Sequence, residues 1–183
     1  MPHIKVPDDV PGIRSLVMFR PDTGRHLYEL AEVLLRGESP LTPAERELIA
    51  AYVSRRNACV FCSCSHAAAS RVHFGDAEAV VDAVLTNPET APISAKFRAL
   101  LVIADKTRER GNLVTADHIA AARDEGATDR EIHDTVLIAA SFSMFNRYVD
   151  GLDTLTPTDP AAYAPMGVRM ATVGYVPPEP ARE

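Results

Sequence analysis

A chain of 183 residues, 46% of them hydrophobic, is long enough to bury one substantial core. A net charge of −6, with no basic run longer than Arg55-Arg56, excludes the electrostatic footprint of a nucleic-acid binder. The first twenty residues carry charges at Lys5, Asp8, Asp9, Arg14 and Arg20, unlike a signal peptide, and no later stretch approaches the roughly 18 apolar residues of a membrane span, so a cytoplasmic protein with no membrane partner is expected.

Alternating β-branched runs bounded by turns are nearly absent and helix signals are strong, so the expected fold class is all-α. After a proline-containing lead, residues 12–19 read as a short helix. Asp22 is expected to cap a longer one ending at Arg36 and stopped by Gly37, with Leu27, Leu30, Ala31, Leu34 and Leu35 on one face. Thr42-Pro43-Ala44-Glu45 is a capping box with proline at the first helical position, and it opens a helix that carries Glu47 to about Arg56. Asn57-Ala58 interrupts, and the next helix starts near Cys59 and runs through Phe74 to Gly75, which puts the cysteines at a helix N-terminus.

Residues 76–85 read as a short helix and 94–110 as a longer one closed by Gly111-Asn112, with Phe97, Leu100, Leu101 and Ala104 inward. Thr115 caps the next, which ends at Gly126. A second capping box, Thr128-Asp129-Arg130-Glu131, opens a helix through Ile132, Val136, Leu137, Ala140 and Phe145 to Gly151; two such boxes hint at an internal duplication. Six of the fourteen prolines follow Thr156. Residues 1–155 are therefore expected to form a helical domain, and 156–183 an irregular proline-rich tail able to wrap a neighbouring subunit.

All three cysteines lie between Cys59 and Cys64, which is not the spacing of a disulfide framework and suggests redox or metal chemistry. The informative pattern is Glu47-x11-Cys59-x2-Cys62-x3-His66. Two thiols three residues apart at a helix start can close a short disulfide, and the helix dipole with a neighbouring imidazole favours the thiolate, which is the nucleophile. Cys62 and His66, four residues apart, share one helix face. Folding back at Asn57 brings the Glu47 carboxylate within reach of His66, to orient the ring and accept its proton.

Zinc held by Cys59, Cys62, Cys64 and His66 is disfavoured because helix residues two apart point nearly opposite ways, so no metal is expected and Cys64 reads as packing. A thioredoxin-like fold would need strands around the dithiol. His26, His73, His118 and His133 read as surface or packing residues, and Phe145-Asn146-Arg147 as a helix-packing or subunit contact.

The stretch from Leu41-Thr42-Pro43-Ala44-Glu45-Arg46-Glu47-Leu48 through Asn57-Ala58-Cys59-Val60-Phe61-Cys62 to His66 resembles the core motif of AhpD-like alkylhydroperoxidases, the peroxidase-related branch of the carboxymuconolactone decarboxylase superfamily. Phe145-Asn146-Arg147 with Asp150 is similar to the family's late helix, so the likeness spans Pro11 to Leu152 in outline. The resemblance implies an AhpD-like helical bundle whose helix-turn-helix carries the dithiol. It also implies a thiol peroxidase in which Cys62 attacks the peroxide, Cys59 resolves it as a disulfide, and Glu47 with His66 forms the relay. The implied partners are a hydroperoxide substrate, a dithiol reductant such as a lipoylated protein, and further copies of the chain in a dimer, trimer or hexamer; no bound cofactor is needed. Where the best-known alkylhydroperoxidase has a further histidine before the second cysteine, this sequence has Phe61. A carboxymuconolactone decarboxylase-like reaction and a redox-sensing module without turnover are the alternatives on the same fold.

Overall fold

The computed structural model describes residues 1–176, and among them the chain is all-α, with nine α-helices and no strand. They are α1 (Ile13–Phe19), α2 (Pro21–Arg36), α3 (Pro43–Arg56), α4 (Val60–Phe74), α5 (Ala79–Thr86), α6 (Ala95–Glu109), α7 (Ala116–Asp124), α8 (Asp129–Gly151) and α9 (Tyr163–Thr172). Single 3-10 turns occupy Gly75–Ala77, Gly111–Leu113 and Pro160–Ala162.

The centre of the bundle is α3. Its capping box forms as expected: Glu45 N donates to Thr42 Oγ1 at 3.2 Å and Thr42 N to Glu45 Oε2 at 2.9 Å, which satisfies two amides the helix cannot. From there α3 is buried on every side, with every residue from Arg46 to Ser54 inside. Helices α2, α4, α5, α6 and α8 all pack against it. Such a helix has no solvent face, which is why its sequence reads as nearly continuous rather than amphipathic.

The remaining helices supply the walls. On α2 the buried face is Ala31, Leu34 and Leu35, with Leu27 and Leu30 partly covered. Its start differs from expectation: Arg20 is the N-cap, without a side-chain cap bond, and Asp22 instead faces Arg20 at 3.2 Å. Pro21 occupies the first helical position, where its missing N–H costs nothing. At the far end the buried Arg46 guanidinium donates to the carbonyls of Leu34 (3.1 Å) and Gly37 (2.8 Å), so α3 caps α2. The second predicted capping box forms at Thr128 and Glu131, and Glu131 also accepts from Lys96 at 2.6 Å, joining α8 to α6. Thr115 caps α7 as expected, and His118, not expected to take part, completes a third box there.

The expectation of an irregular tail is corrected over its described part. Residues 163–172 form α9, which lies along the outside of α4 and buries Tyr163, Gly167 and Met170. Proline does not prevent this, because Pro160 opens the preceding 3-10 turn and Pro165 is the third residue of α9, where no intrahelical amide bond is needed. Arg36 on α2 donates to the carbonyls of Met170 (3.1 Å) and Ala171 (2.5 Å), closing the end of α9. This part of the tail therefore folds on its own chain. Residues 177–183, with three of the six late prolines, lie outside the described residues.

The α4–α9 contact is close because Gly167 has no side chain: a Cβ there would stand 2.5 Å from the Ala68 carbonyl carbon. Gly167→Val should force the helices apart and cost about 1–3 kcal/mol, as overpacking does. Urea unfolding against an exposed control, Val168→Ala, checks this; equal stability of the two variants would refute the tight contact.

Candidate active site

The turn between α3 and α4 sets the geometry of the dithiol. Ala58 takes φ +61°, a left-handed conformation that costs a residue with a Cβ about 1–2 kcal/mol. Buried amide chemistry offsets that strain. Asn146 on α8 donates from Nδ2 to Ser54 Oγ at 2.9 Å and accepts on Oδ1 from Asn57 Nδ2 at 2.9 Å, while Cys59 N donates to Ser54 O at 3.0 Å. Three segments, α3, the turn and α8, are thereby locked around the point where the chain reverses. Asn146 was read from sequence as a packing or subunit contact; the structure gives it this bracing task inside the chain.

Cys59 becomes the N-cap of α4 and Cys62 the third residue of its first turn. Both sulfurs are reduced, with Cys59 completely buried and Cys62 4% exposed. They share an apolar cluster with Phe61, Ala68, Val149 and Tyr163, and the half-buried Cys64 packs at its edge. The Cys59 thiol is pushed far above its ordinary range, first by hydrogen bonding to the Cys62 sulfur and then by burial, with the Asp150 carboxylate acting in the same direction. Burial also pushes Cys64 up, against the charges of Arg55 and Arg71. Among the described residues no three of His, Cys, Asp or Glu are grouped to hold a metal ion.

Glu47 projects from α3 with no exposure, and its Oε2 lies 2.7 Å from His66 Nδ1 on α4. A buried carboxylate so placed makes Nδ1 the protonated nitrogen and leaves Nε2 as the acceptor. The ring is fixed edge-on against Phe142, centroids 4.5 Å apart, and lies nearly parallel to Tyr175 at 6.0 Å. The structure thus brings Glu47 and His66 together as the spacing predicts. No direct hydrogen bond joins His66 to either sulfur among the described residues, so helix register alone, four residues on, sets His66 beside Cys62.

Tyr175 was not anticipated. Its hydroxyl donates to Glu47 Oε1 at 2.5 Å and lies 3.4 Å from His66 Nδ1. Burial first, and then the Glu47 charge, keep this phenol protonated well above its ordinary range. The only sequence signal was Gly174, whose φ of +94° turns the chain inward after α9.

Two openings flank the site. A polar cleft of about 440 Å³ is lined by Asn57, Asn146, Arg147, Asp150 and Gly151. A smaller, mostly apolar pocket of about 60 Å³ lies between α1, α2, α4 and α9, against Phe61, Met166 and Tyr175, with Arg14 and Arg169 at its rim. Ile13, Phe61 and Met166 belong both to this pocket and to the packing around the cysteines.

The carboxymuconolactone decarboxylase family model matches residues 21–106, which takes in Glu47, both cysteines and His66. Among solved structures, the chain is similar to an uncharacterized peroxidase-related protein from Silicibacter sp. TM1040, with 28% identity and a TM-score of 0.75 over 85% of this chain and 79% of that one. It is also similar to the alkylhydroperoxidase AhpD core of an uncharacterized peroxidase-related protein from Ralstonia eutropha JMP134, with 27% identity and a TM-score of 0.76 over 91% of this chain and 95% of that one. No curated protein matches it.

The raised Cys59 thiol has a consequence for stability. Unfolding returns it to the ordinary thiol range near about pH 8.5, so above that pH the folded state holds more protons than the unfolded one and stability falls as pH rises. Urea unfolding of the reduced protein should lose up to about 1.4 kcal/mol per pH unit from this residue, a loss that Cys59→Ser removes. A flat profile in the wild type would show that Cys59 ionises as easily folded as unfolded.

Proposed function

We propose that the chain, which is similar to AhpD-like proteins of the carboxymuconolactone decarboxylase superfamily, is a thiol-dependent peroxidase, reducing an organic hydroperoxide through the Cys59/Cys62 dithiol. The observation that carries this reading is the buried Glu47–His66 hydrogen bond, one helical turn from the Cys62 thiol and two from that of Cys59, with both thiols free in a shared apolar cluster.

The chemistry follows from which atoms are free. His66 Nε2 takes the Cys62 proton, directly or through one water, and Glu47 stabilises the imidazolium through Nδ1. The Cys62 thiolate attacks the terminal peroxide oxygen, the O–O bond breaks, and the alkoxide leaves as an alcohol with the proton held on His66. Cys62 is now a sulfenic acid. Cys59 attacks that sulfur, its own proton leaves with the hydroxyl group as water, and a Cys59–Cys62 disulfide forms. An external dithiol, such as a lipoylated protein, restores both thiols by exchange and carries the two electrons. The apolar pocket beside Phe61 suits the organic part of such a peroxide, and the polar cleft beside Asp150 suits the reductant.

The near-complete burial of both sulfurs favours a second reading, a redox-sensing module without turnover. Both readings fit a cytoplasmic protein, and no described helix is long and apolar enough to cross a membrane.

Mild peroxide should consume two thiols per chain and leave Cys64 free in peptide maps, with a reduced lipoyl compound regenerating both over many cycles. Glu47→Gln should slow the reaction with peroxide roughly 10- to 1,000-fold, the range of a general acid–base group. Oxidation without repeated turnover would select the sensing module, and an unreactive dithiol would overturn both readings.

We also propose a homo-oligomer, because Met18, Phe19, Val33 and Val60 each leave more than half of their surface exposed. Sedimentation at micromolar concentration should show a dimer, trimer or hexamer; a monomer would refute it.

A further inference from the structure

We propose that Tyr175 is a positioning residue of the thiol site, its hydroxyl holding the Glu47 carboxylate in the orientation from which the other oxygen serves His66. The inference deepens the proposed thiol chemistry and rests on it for its purpose, while the geometry stands by itself.

A fully buried carboxylate has two oxygens to satisfy, and here each has one donor. His66 Nδ1 meets Oε2 at 2.7 Å, and the Tyr175 hydroxyl meets Oε1 at 2.5 Å. Without the second donor the carboxylate is free to turn about its last torsion, and Oε2 has no fixed place relative to the imidazole. Tyr175 also lies nearly parallel to the His66 ring, with 13° between the planes and 6.0 Å between the centroids.

The way Tyr175 is delivered separates this arrangement from incidental packing. Its amide donates to Glu32 Oε2 at 2.7 Å, and Glu32 Oε1 in turn accepts from Arg36 at 3.1 Å. Arg36 is the residue that closes α9 through the Met170 and Ala171 carbonyls. Gly174 permits the approach, because a Cβ there would lie 2.5 Å from Glu32 Oε2. One pair of α2 side chains therefore fixes both the end of α9 and the first residue beyond its glycine.

The charged and titratable groups that act on Glu47 or on its partners are Arg46 beside it on α3, His66 and His73 on α4, Glu32 and Arg36 on α2, Asp134 on α8 near Arg46, and Tyr175 itself. Among these, Tyr175 and His66 are the hydrogen-bond donors to the Glu47 carboxylate. A donor to a carboxylate favours its charged form, and a charged Glu47 is what allows His66 to accept a proton.

The test is Tyr175→Phe, which keeps the ring and removes the hydroxyl. Labelling of Cys62 by iodoacetamide, followed by peptide mass spectrometry across pH, reads the relay without any peroxide. The acid limb of the profile should move up by about one pH unit, making labelling roughly tenfold slower below it. The 15N shifts of the His66 ring should change with the same midpoint. Glu32→Ala, which frees the Tyr175 amide from the partly exposed rim, should shift the limb in the same direction by less, and it keeps the test alive if Tyr175→Phe fails to fold. Profiles matching the wild type in a folded variant would overturn the proposal. A shifted limb in a protein that shows no peroxide turnover would uphold Tyr175 and discard the peroxidase reading instead.

Discussion

The Glu47 carboxylate has no contact with solvent, and a charge removed from water is tolerated only where hydrogen bonds replace those it loses. His66 and Tyr175 supply them, and the positions of both depend on most of the fold. His66 arrives because α4 reverses on α3 at a strained alanine that Asn146 braces from α8. Tyr175 arrives because α9 lies on α4 and its end is clamped by α2. Four helices and a turn thus converge on a single acidic side chain. Much of the polar bonding inside this bundle makes sense as the means of keeping that group answered.

The fold is legible in the sequence where local chemistry decides structure. The boxes at Thr42 and Thr128 mark their helices because side chain and backbone meet within four residues. The interval between Glu47 and His66 was legible because a helix reversal at Asn57 follows from a short interruption between two helical runs. The fold is not legible where the deciding partner is remote. Arg36 reaches carbonyls more than 130 residues away, and Asn146 meets Ser54 across 92. In α9, proline counts pointed to an irregular tail, although Pro160 and Pro165 sit where a turn or a helix start tolerates them. Asp22 was misread for a related reason, since Pro21 starts α2 without a capping side chain.

Phe61 marks the clearest departure from the pattern this chain resembles. Its ring packs with Tyr163, centroids 6.3 Å apart, and touches the backbone of Gly12 so closely that a Cβ there would overlap it at 2.0 Å. A residue engaged in that way is part of the wall between α1 and α4, not a proton carrier. Under the proposed thiol chemistry this leaves the Glu47–His66 pair to handle protons, and Phe61 adds to the apolar lining of the small pocket.

The order in which these parts are connected bears on how the protein is made. Synthesis runs from the N-terminus, so Glu47, Cys59, Cys62 and His66 all leave the ribosome more than a hundred residues before Tyr175 does. Until then the α3–α4 hairpin lacks α9 along its outer side and the second donor to its buried acid. A nascent chain at that stage lacks Tyr163 and Met166, which pack over the cysteine cluster, and leaves Glu47 Oε1 without its donor. Products ending before residue 163 would carry the whole recognisable motif without that cover, and are expected to be more open to thiol oxidation and to proteolysis than the finished chain.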